Sequence, residues 1–182
     1  MKKSIKTIVS ELDKQLSKIQ KLVNTIEKKD LQGIDNLRDW LYETEEVFKK
    51  LNLPQVSKFS VKRVELVSFL PKDKKNKRKE LFNFSANILA LSQENLWEVY
   101  QNHTEKLDHA RKLINQLLNL IYQAKAFKFD ATQNFTTFIE NIWSFCNSHE
   151  QLKSITIQIA SFINKSDVLL IIAEEIELEE LQ

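Results

Sequence analysis

The sequence predicts an all-α fold, a compact irregular bundle of about seven to eight helices in a single domain that spans residues 1–182. The first observation behind this prediction is the scarcity of glycine and proline. The chain has one glycine and two prolines, where average usage at this length would give about thirteen and nine. Glycine supplies the positive φ of tight hairpins and phosphate-binding loops, so we expect helices joined by short polar turns.

The second observation is the spacing of the apolar residues, which recur in steps of three and four along most of the chain. This spacing places them on one face of a helix. No repeat of fixed period appears, and no segment rich in Pro, Gly or Ser divides the chain. A single domain is therefore expected, with a weak seam only at the basic loop 71–78.

The first predicted helix, Ser4–Lys29, has the clearest pattern, a heptad seam widened by Ile8 and Leu22. The seam consists of Ile5, Val9, Leu12, Leu16, Ile19, Val23 and Ile26. Two interpretations stay open. The helix either faces the core of its own bundle or forms a coiled coil that makes the chain a homo-oligomer.

The second predicted helix, Leu31–Leu51, begins after Asp30 as its N-cap and ends before Pro54. The third segment, Gln55–Leu70, is the least regular. Its valines favour a strand by propensity, but strict alternation fails and no second strand is available to pair with it. A helix is therefore predicted there as well.

The segment Arg78–Tyr100 is apolar on most sides, which is typical of a central, buried helix. Asn102 and Glu105 have the spacing of a capping box, so a further helix is predicted from there to about Lys125. The pattern leaves open whether these two helices fuse.

Three short helices complete the prediction, each with polar residues at its start. The predicted starts are Asp130 with Gln133, Ser148 with Gln151, and Ser166 or Asp167. Asparagine can replace glycine at helix C-termini, and this role is predicted for Asn52, Asn147 and Asn164.

Several kinds of chemistry are disfavoured by the residues present. A lone Gly33 inside a helix cannot form a phosphate loop or a dinucleotide fingerprint. A single cysteine, Cys146, excludes an intrachain disulfide and a Cys-rich zinc site, and its apolar context predicts a buried, unreactive thiol. No cofactor is predicted.

No catalytic or metal-ligating residue is assigned. Glu105 and His109, near His103, are interpreted as solvated surface residues, because a di-iron site needs a second matching motif. A remote alternative is a helical hydrolase that binds a metal ion through carboxylates. Its candidate residues are Asp35, Asp39 and Glu43 in one acidic row, with Glu94 and Glu98 facing it.

The segment Lys58–Lys79 holds nine Lys and Arg residues against two acids, a net charge of +7. Its candidates for binding an anion or a nucleic acid are Lys62, Arg63, Lys72, Lys74, Lys75, Lys77, Arg78 and Lys79. Three interpretations stay open: a solvated loop, a contact with a protein, or a non-specific, salt-sensitive contact with nucleic acid. The predominance of lysine suits a diffuse contact more than bidentate recognition.

The C-terminal segment Asp167–Gln182 has six acids and no base. Its candidates for binding a partner are Glu174, Glu175, Glu177, Glu179 and Glu180. Negative charge at a helix C-terminus is unfavourable, so these residues should meet cations, either of their own chain or of a partner. If they cover the basic loop, deletion of residues 174–182 should strengthen binding of RNA or DNA.

These observations favour a non-catalytic interaction, adaptor or regulatory subunit of a bacterial multi-protein complex. The alternative is a nucleic-acid-binding accessory protein that uses residues 72–79. A cytoplasmic location without membrane contact is expected, since the longest apolar run, Val168–Ala173, is six residues and a membrane span needs about 20. The abundance of Lys, Ile, Asn and Phe is typical of an AT-rich bacterial genome.

Overall fold

The computed structural model describes residues 3–71, 76–129 and 132–181. Within these ranges the backbone forms eight α-helices and one 3-10 helix, without a β-strand. The helices are α1 (Ile5–Leu16), α2 (Ile19–Glu27), α3 (Leu31–Leu51), α4 (Val56–Ser68), α5 (Lys77–Ala124), α6 (Phe135–Ser148), α7 (Lys153–Phe162) and α8 (Lys165–Glu175), followed by the 3-10 helix Leu178–Leu181. The prediction of an all-α helical bundle is confirmed.

The chain packs as two units. The terminal unit consists of Met1–Thr7 together with His103–Gln182, and the central unit is Ile8–Asn102. Helices α1 and α5 each contribute residues to both units. The boundary falls inside these two helices and not at the basic loop, while the single domain stays a prediction.

The core of the central unit is built around α3, which packs against α2 and α4. The Phe59 ring of α4 lies 4.7 Å from the Phe48 ring and 6.5 Å from the Trp40 ring, both on α3. Trp40 is buried, and its indole Nε1 donates a hydrogen bond to the Gln15 carbonyl at 3.1 Å. This bond satisfies the one polar group of a large apolar side chain.

Gly33, the only glycine of the chain, lies in α3 where this helix meets α2. A Cβ at this position would lie 3.0 Å from Thr25 Oγ1 and 3.1 Å from the Thr25 backbone carbon. The close approach of the two helices therefore explains why glycine stands inside a helix.

The heptad seam is divided between α1 and α2. Ser17, at the break, donates its hydroxyl to the Lys14 carbonyl at 2.9 Å, and such local bonds compete with the helical ladder. The seam residues that are buried in the central unit are Leu12, Ile19 and Ile26, joined by the flanking Ile8 and Leu22. These seam residues thus pack within the central unit, and homo-oligomer formation stays a prediction.

Two of the predicted caps are confirmed. Asp30 is the N-cap of α3, and its side chain accepts a hydrogen bond from Gln32 N at 3.0 Å. Asn52 is the C-cap of the same helix with a left-handed φ of 55°. Lys29 and Lys125 also adopt positive φ, so lysine shares with asparagine the role that glycine has in most proteins.

The other predicted caps in the described residues are wrong. Asn102 and Glu105 lie inside α5, which continues because this stretch has no Pro or Gly to stop it. Asn147 and Ser148 lie in the last turn of α6. Asn164 starts α8 by accepting a hydrogen bond from Asp167 N at 2.8 Å, so neither Ser166 nor Asp167 does.

The cap of α6 and the start of α7 also differ from the prediction. Asn134 caps α6 by accepting a hydrogen bond from Thr137 N at 3.1 Å, in place of Gln133, while Asp130 lies outside the described residues. Helix α7 follows Leu152, which has no side chain able to cap it. Its start therefore could not be read from a capping residue.

In the terminal unit, α6 packs against α7 and α8. Asp167 of α8 is fully buried and accepts hydrogen bonds from the Ser4 hydroxyl and, at 2.7 Å, from Ile5 N. It thereby caps the first turn of α1.

No single helix of the described residues is long and apolar enough to cross a bilayer. Helices α7 and α8 pass this test of length and composition only as a pair, and that pair is bent by 114°.

Candidate functional site

Helix α4 has one buried side and exposed valines on its other sides. Phe59 and Leu66, seven residues apart, are buried, and a spacing of seven returns to the same side of a helix. On other sides of α4, Val61, Val64 and Val67 are 51%, 57% and 67% exposed. We call these three residues the valine ridge.

The valine ridge is continued along the chain by Leu70, which is 84% exposed. A step of three residues turns the side chain by about 60° around the helix axis, so the valines form a slowly winding row. The preceding residue, Phe69, stacks on Phe84 of α5 with ring centroids 4.2 Å apart. This contact fixes the chain where α4 ends.

The other side of α4 is held by a buried carboxylate of α3. Glu45 lies within 3.2 Å of both Nε and Nη2 of Arg63, and 2.8 Å from Lys49 Nζ. Burial alone would raise the pKa of Glu45, but hydrogen bonds from Lys49, Ser60 and Arg63 outweigh it and hold the pKa below its ordinary value. Glu45 is therefore ionised at neutral pH.

The Arg63 guanidinium also lies over the ring of Tyr42, 5.5 Å from its centroid. Tyr42 is half-exposed, and a cation placed over an aromatic face is attracted by the ring. Tyrosine and arginine are enriched among the residues that dominate binding energy in protein interfaces. Here the Arg63 side chain contacts both Glu45 and the ring of Tyr42.

Helix α4 is also tied to α5. Lys58 Nζ donates a hydrogen bond to Asn95 Oδ1 at 2.7 Å and lies 3.9 Å from Glu98 Oε2. With the Glu45 cluster and the Phe69–Phe84 stack, the helix is attached to both neighbours. The valine ridge consequently lies on a positioned helix of the central unit, with its apolar side chains in solvent.

The structure gives partners within the chain to three of the predicted anion-binding residues. Arg63 contacts Glu45, and Lys62 Nζ lies 2.8 Å from Glu65 Oε2. Arg78 donates to the Lys29 carbonyl at 2.7 Å, at the end of α2. Lys77 and Lys79, at the start of α5, are exposed, as is Arg78, while Lys72, Lys74 and Lys75 lie outside the described residues. Their binding of an anion stays a prediction.

The first two candidate glutamates of the acidic segment, Glu174 and Glu175, meet cations of the terminal unit. Glu174 pairs with Lys6 and, at 3.5 Å, with Arg111, and a hydrogen bond from Lys6 holds the pKa of Glu174 below its ordinary value. Glu175 forms an ion pair with Arg111 Nε at 2.8 Å, but the angle at Nε is unsuitable for a hydrogen bond. Glu175 accepts a hydrogen bond from Asn115 Nδ2 at 3.0 Å.

The last glutamates of this segment differ from Glu174 and Glu175. Glu177, Glu179 and Glu180 are exposed, and the described residues include no ion pair with them. Their backbone is nonetheless attached: Glu177 N donates to Tyr122 Oη at 2.8 Å. Two roles of the acidic segment stay predictions: that it binds a partner, and that it covers the basic loop.

The acidic row proposed for a metal ion is neutralised by neighbouring cations. Arg38 lies 3.3 Å from Asp35 and 3.5 Å from Asp39, and Glu43 pairs with Lys18. In the part of the chain that the structure describes, no group of three or more His, Cys, Asp or Glu residues is placed to hold a metal ion. The His109 ring packs edge-on against Phe162, with the centroids 4.8 Å apart.

Cys146 is buried in the terminal unit. Burial raises the pKa of its thiol to about 11, so the thiol is protonated at neutral pH. This agrees with the predicted buried thiol.

Fold and surface together define an all-α protein that presents an apolar face on one helix. Comparison of the chain with protein-family models, with curated proteins and with solved structures finds no match. The sequence prediction did not single out the valine ridge. A signal was present, because Phe59 and Leu66 define the buried side of α4 and leave the valines on other sides.

Proposed function

We propose that the protein is a non-catalytic interaction subunit, an adaptor or regulator, that binds another protein through the valine ridge. The observation that carries this proposal is the exposure of Val61, Val64 and Val67, each more than half, on a helix attached to both its neighbours. Exposed apolar residues that are grouped on one helix, unlike single ones, are typical of interaction sites.

The stability of α4 does not account for these valines. β-Branched residues lose side-chain freedom in a helix and are poorer helix formers than Ala, Lys or Glu. At exposed positions they also add little to the core. Val61, Val64 and Val67 therefore cost helix stability while more than half of each residue stays exposed.

The valine ridge can supply useful binding energy. Full burial of a Val or Leu side chain contributes about 1.5–3 kcal/mol, and these side chains are already partly covered. Covering the ridge and Leu70 would then contribute roughly 4 kcal/mol. Because association itself costs several kcal/mol, the interface must also use neighbouring groups. Tyr42 and Arg63, which contact each other, are the candidates for these groups.

The proposal is tested by site-specific photo-crosslinking. A benzophenone-bearing amino acid replaces Val64 in one sample and Ile157, which is equally exposed in α7, in a control. Irradiation in an extract of native host cells should give a discrete crosslinked protein from position 64 only. That product should disappear when Val61→Glu and Val67→Glu are added. Identical products from both positions, or no product from position 64, would overturn the proposal.

The nucleic-acid alternative rests on Lys77 and Lys79, which are exposed at the N-terminus of α5, where backbone N–H groups favour an anion. Mixed-sequence RNA and DNA duplexes are the probes in a gel shift at low salt. Loss of a salt-sensitive shift in the Lys77→Glu/Lys79→Glu variant would support this function. A shift that is absent, or that the variant keeps, would contradict it.

A further inference from the structure

We infer that a cavity of the terminal unit, at the C-terminal ends of α5 and α6, binds a small, uncharged aromatic molecule with an N–H donor. This inference does not rest on the valine ridge, which belongs to the central unit. Four features of the cavity carry it: its size, its aromatic wall, the absence of charged side chains from its described lining, and the free carbonyls of the helix that ends there.

The cavity has the size and the lining of a small-molecule site. Its volume is about 550 Å³, and ligand sites measure about 300–1,000 Å³ and are mostly apolar. Ile121 and Leu152 line it although they are 1% and 8% exposed. Leu120 and Phe145 add further apolar surface. Because buried residues line the cavity, a small ring can cover most of its own surface there.

One wall of the cavity is an aromatic ring held in place by its neighbours. The Phe145 ring lies 5.1 Å from the Phe127 ring, edge to face, and 5.3 Å from the His149 ring, centroid to centroid. Phe145 and His149 both line the cavity, and aromatic rings attract one another at centroid distances of about 4.5–7 Å. A flat aromatic ligand gains this attraction, whereas an alkyl chain of the same size gains only the burial of apolar surface.

The described residues that line the cavity include no Asp, Glu, Lys or Arg. Their polar side chains are those of Gln123, His149 and Gln151. Lys125 and Lys153 are sequence neighbours of lining residues, but neither lines the cavity itself. An ionised ligand would therefore lose its hydration without meeting an opposite charge, which is costly. The ligand that fits is uncharged.

The C-terminal end of α5 supplies hydrogen-bond acceptors. Gln123 and Ala124, its last two residues, both line the cavity. The last carbonyls of a helix have no partner inside the helix and carry partial negative charge. The two backbone N–H groups that follow α5 bond to the carbonyls of Ile121 and Tyr122, which leaves those of Gln123 and Ala124 without a backbone donor in the described residues. An N–H group of the ligand can donate to them, and an anion is disfavoured.

Isothermal titration calorimetry with indole tests the inference. Indole is an uncharged aromatic molecule with one N–H donor, 1-methylindole lacks the donor, and indole-3-acetate adds a negative charge. Indole should bind in a saturable way, and 1-methylindole about tenfold more weakly because one hydrogen bond is lost. Indole-3-acetate should also bind about tenfold more weakly, because its charge meets no cation. No saturable binding of indole, equal binding of all three, or tightest binding of indole-3-acetate would overturn the inference.

A pair of alanine variants locates the bound indole. Ala124→Trp places a large side chain in the cavity and should abolish indole binding. Ala160→Trp, at an exposed position of α7 outside the cavity, should leave the affinity unchanged. Equal loss in both variants, or full affinity in Ala124→Trp, would contradict the inference.

A measurement on the unaltered chain does not depend on how the variants fold. In two-dimensional amide NMR spectra, indole should shift the backbone signals of residues 120–126 and 149–152. Shifts confined to other residues would place indole elsewhere and overturn the inference. The proposed function is tested separately, because the crosslinking position 64 lies in the central unit and the cavity in the terminal unit.

Discussion

Replacement of Glu45 tests the central electrostatic contact of the candidate site. The Glu45 side chain is 5% exposed and contacts two cations. The side chain of Arg63 is 34% exposed and that of Lys49 is 48% exposed. Glu45→Gln keeps the shape but removes the charge, and Glu45→Ala removes the acceptor altogether. The cations left behind can be rehydrated because they are partly exposed, which limits the loss.

The magnitude follows from these exposures. A hydrogen bond to a charged group contributes about 1.5–3 kcal/mol to stability when it is buried, and an exposed ion pair about 0–1 kcal/mol. The Arg63 contact lies toward the first value and the Lys49 contact toward the second. We expect Glu45→Ala to lower the free energy of unfolding by about 2 kcal/mol and Glu45→Gln by about 1 kcal/mol.

The assay is urea unfolding followed by circular dichroism at pH 7 and pH 3. Because folding lowers the pKa of Glu45, its contribution is complete above the unfolded pKa and is lost as pH falls through the lower folded pKa. The difference between wild type and Glu45→Gln should therefore be largest near pH 7 and shrink in acid.

Glu46→Gln is the matched control, since Glu46 contacts the same Lys49 at 2.7 Å but is 47% exposed. It should change the free energy of unfolding by less than about 0.5 kcal/mol. If Glu46→Gln costs as much as Glu45→Gln, or if the difference for Glu45→Gln persists at pH 3, the assignment of a buried, ionised carboxylate is wrong.

Three further predictions concern other parts of the chain. Asp167→Ala should lower the free energy of unfolding by about 3 kcal/mol, because it leaves two donors at the start of α1 without their acceptor. Ser4→Ala should lower the free energy of unfolding by less. Calorimetry that ranks the two variants the other way would contradict this prediction. Cys146, with a thiol pKa of about 11, should be inert to a thiol-reactive dye at pH 8 and react fully in denaturant; a fast native reaction would refute its burial. Gly33→Ala should lower the melting temperature, because its Cβ would meet the Thr25 backbone at 3.1 Å; a rise, as helix propensity alone predicts, would refute the close approach.

The sequence was sufficient to predict the helical segments and many core residues, but the break between α1 and α2 inside the predicted helix Ser4–Lys29 was missed. Leu12, Leu37 and Ile114 belong to periodic rows and are buried, because burial of an apolar stripe is what stabilises a helix in a protein. Asp30 and Asn52 could be recognised because their roles depend on local backbone geometry.

Helix ends and surface sites were harder to predict, because they depend on distant residues. Asn102 has the sequence of a cap yet lies inside a continuous helix. Asp167 looked like the start of α8 but accepts hydrogen bonds from Ser4 and Ile5. The valine ridge was not predicted because apolar residues in a helix are expected to be buried. Only the packing of the helices shows which apolar residues stay exposed.

The division of the chain into two units has a consequence for its biosynthesis. The central unit, Ile8–Asn102, is one continuous segment, whereas the terminal unit joins Met1–Thr7 to residues made much later. At about 5–20 residues per second, Ser4 leaves the ribosome many seconds before Asp167, its hydrogen-bond partner 163 residues away. The central unit can therefore fold while the ribosome is still translating, and the valine ridge can be formed before Asp167 leaves the ribosome.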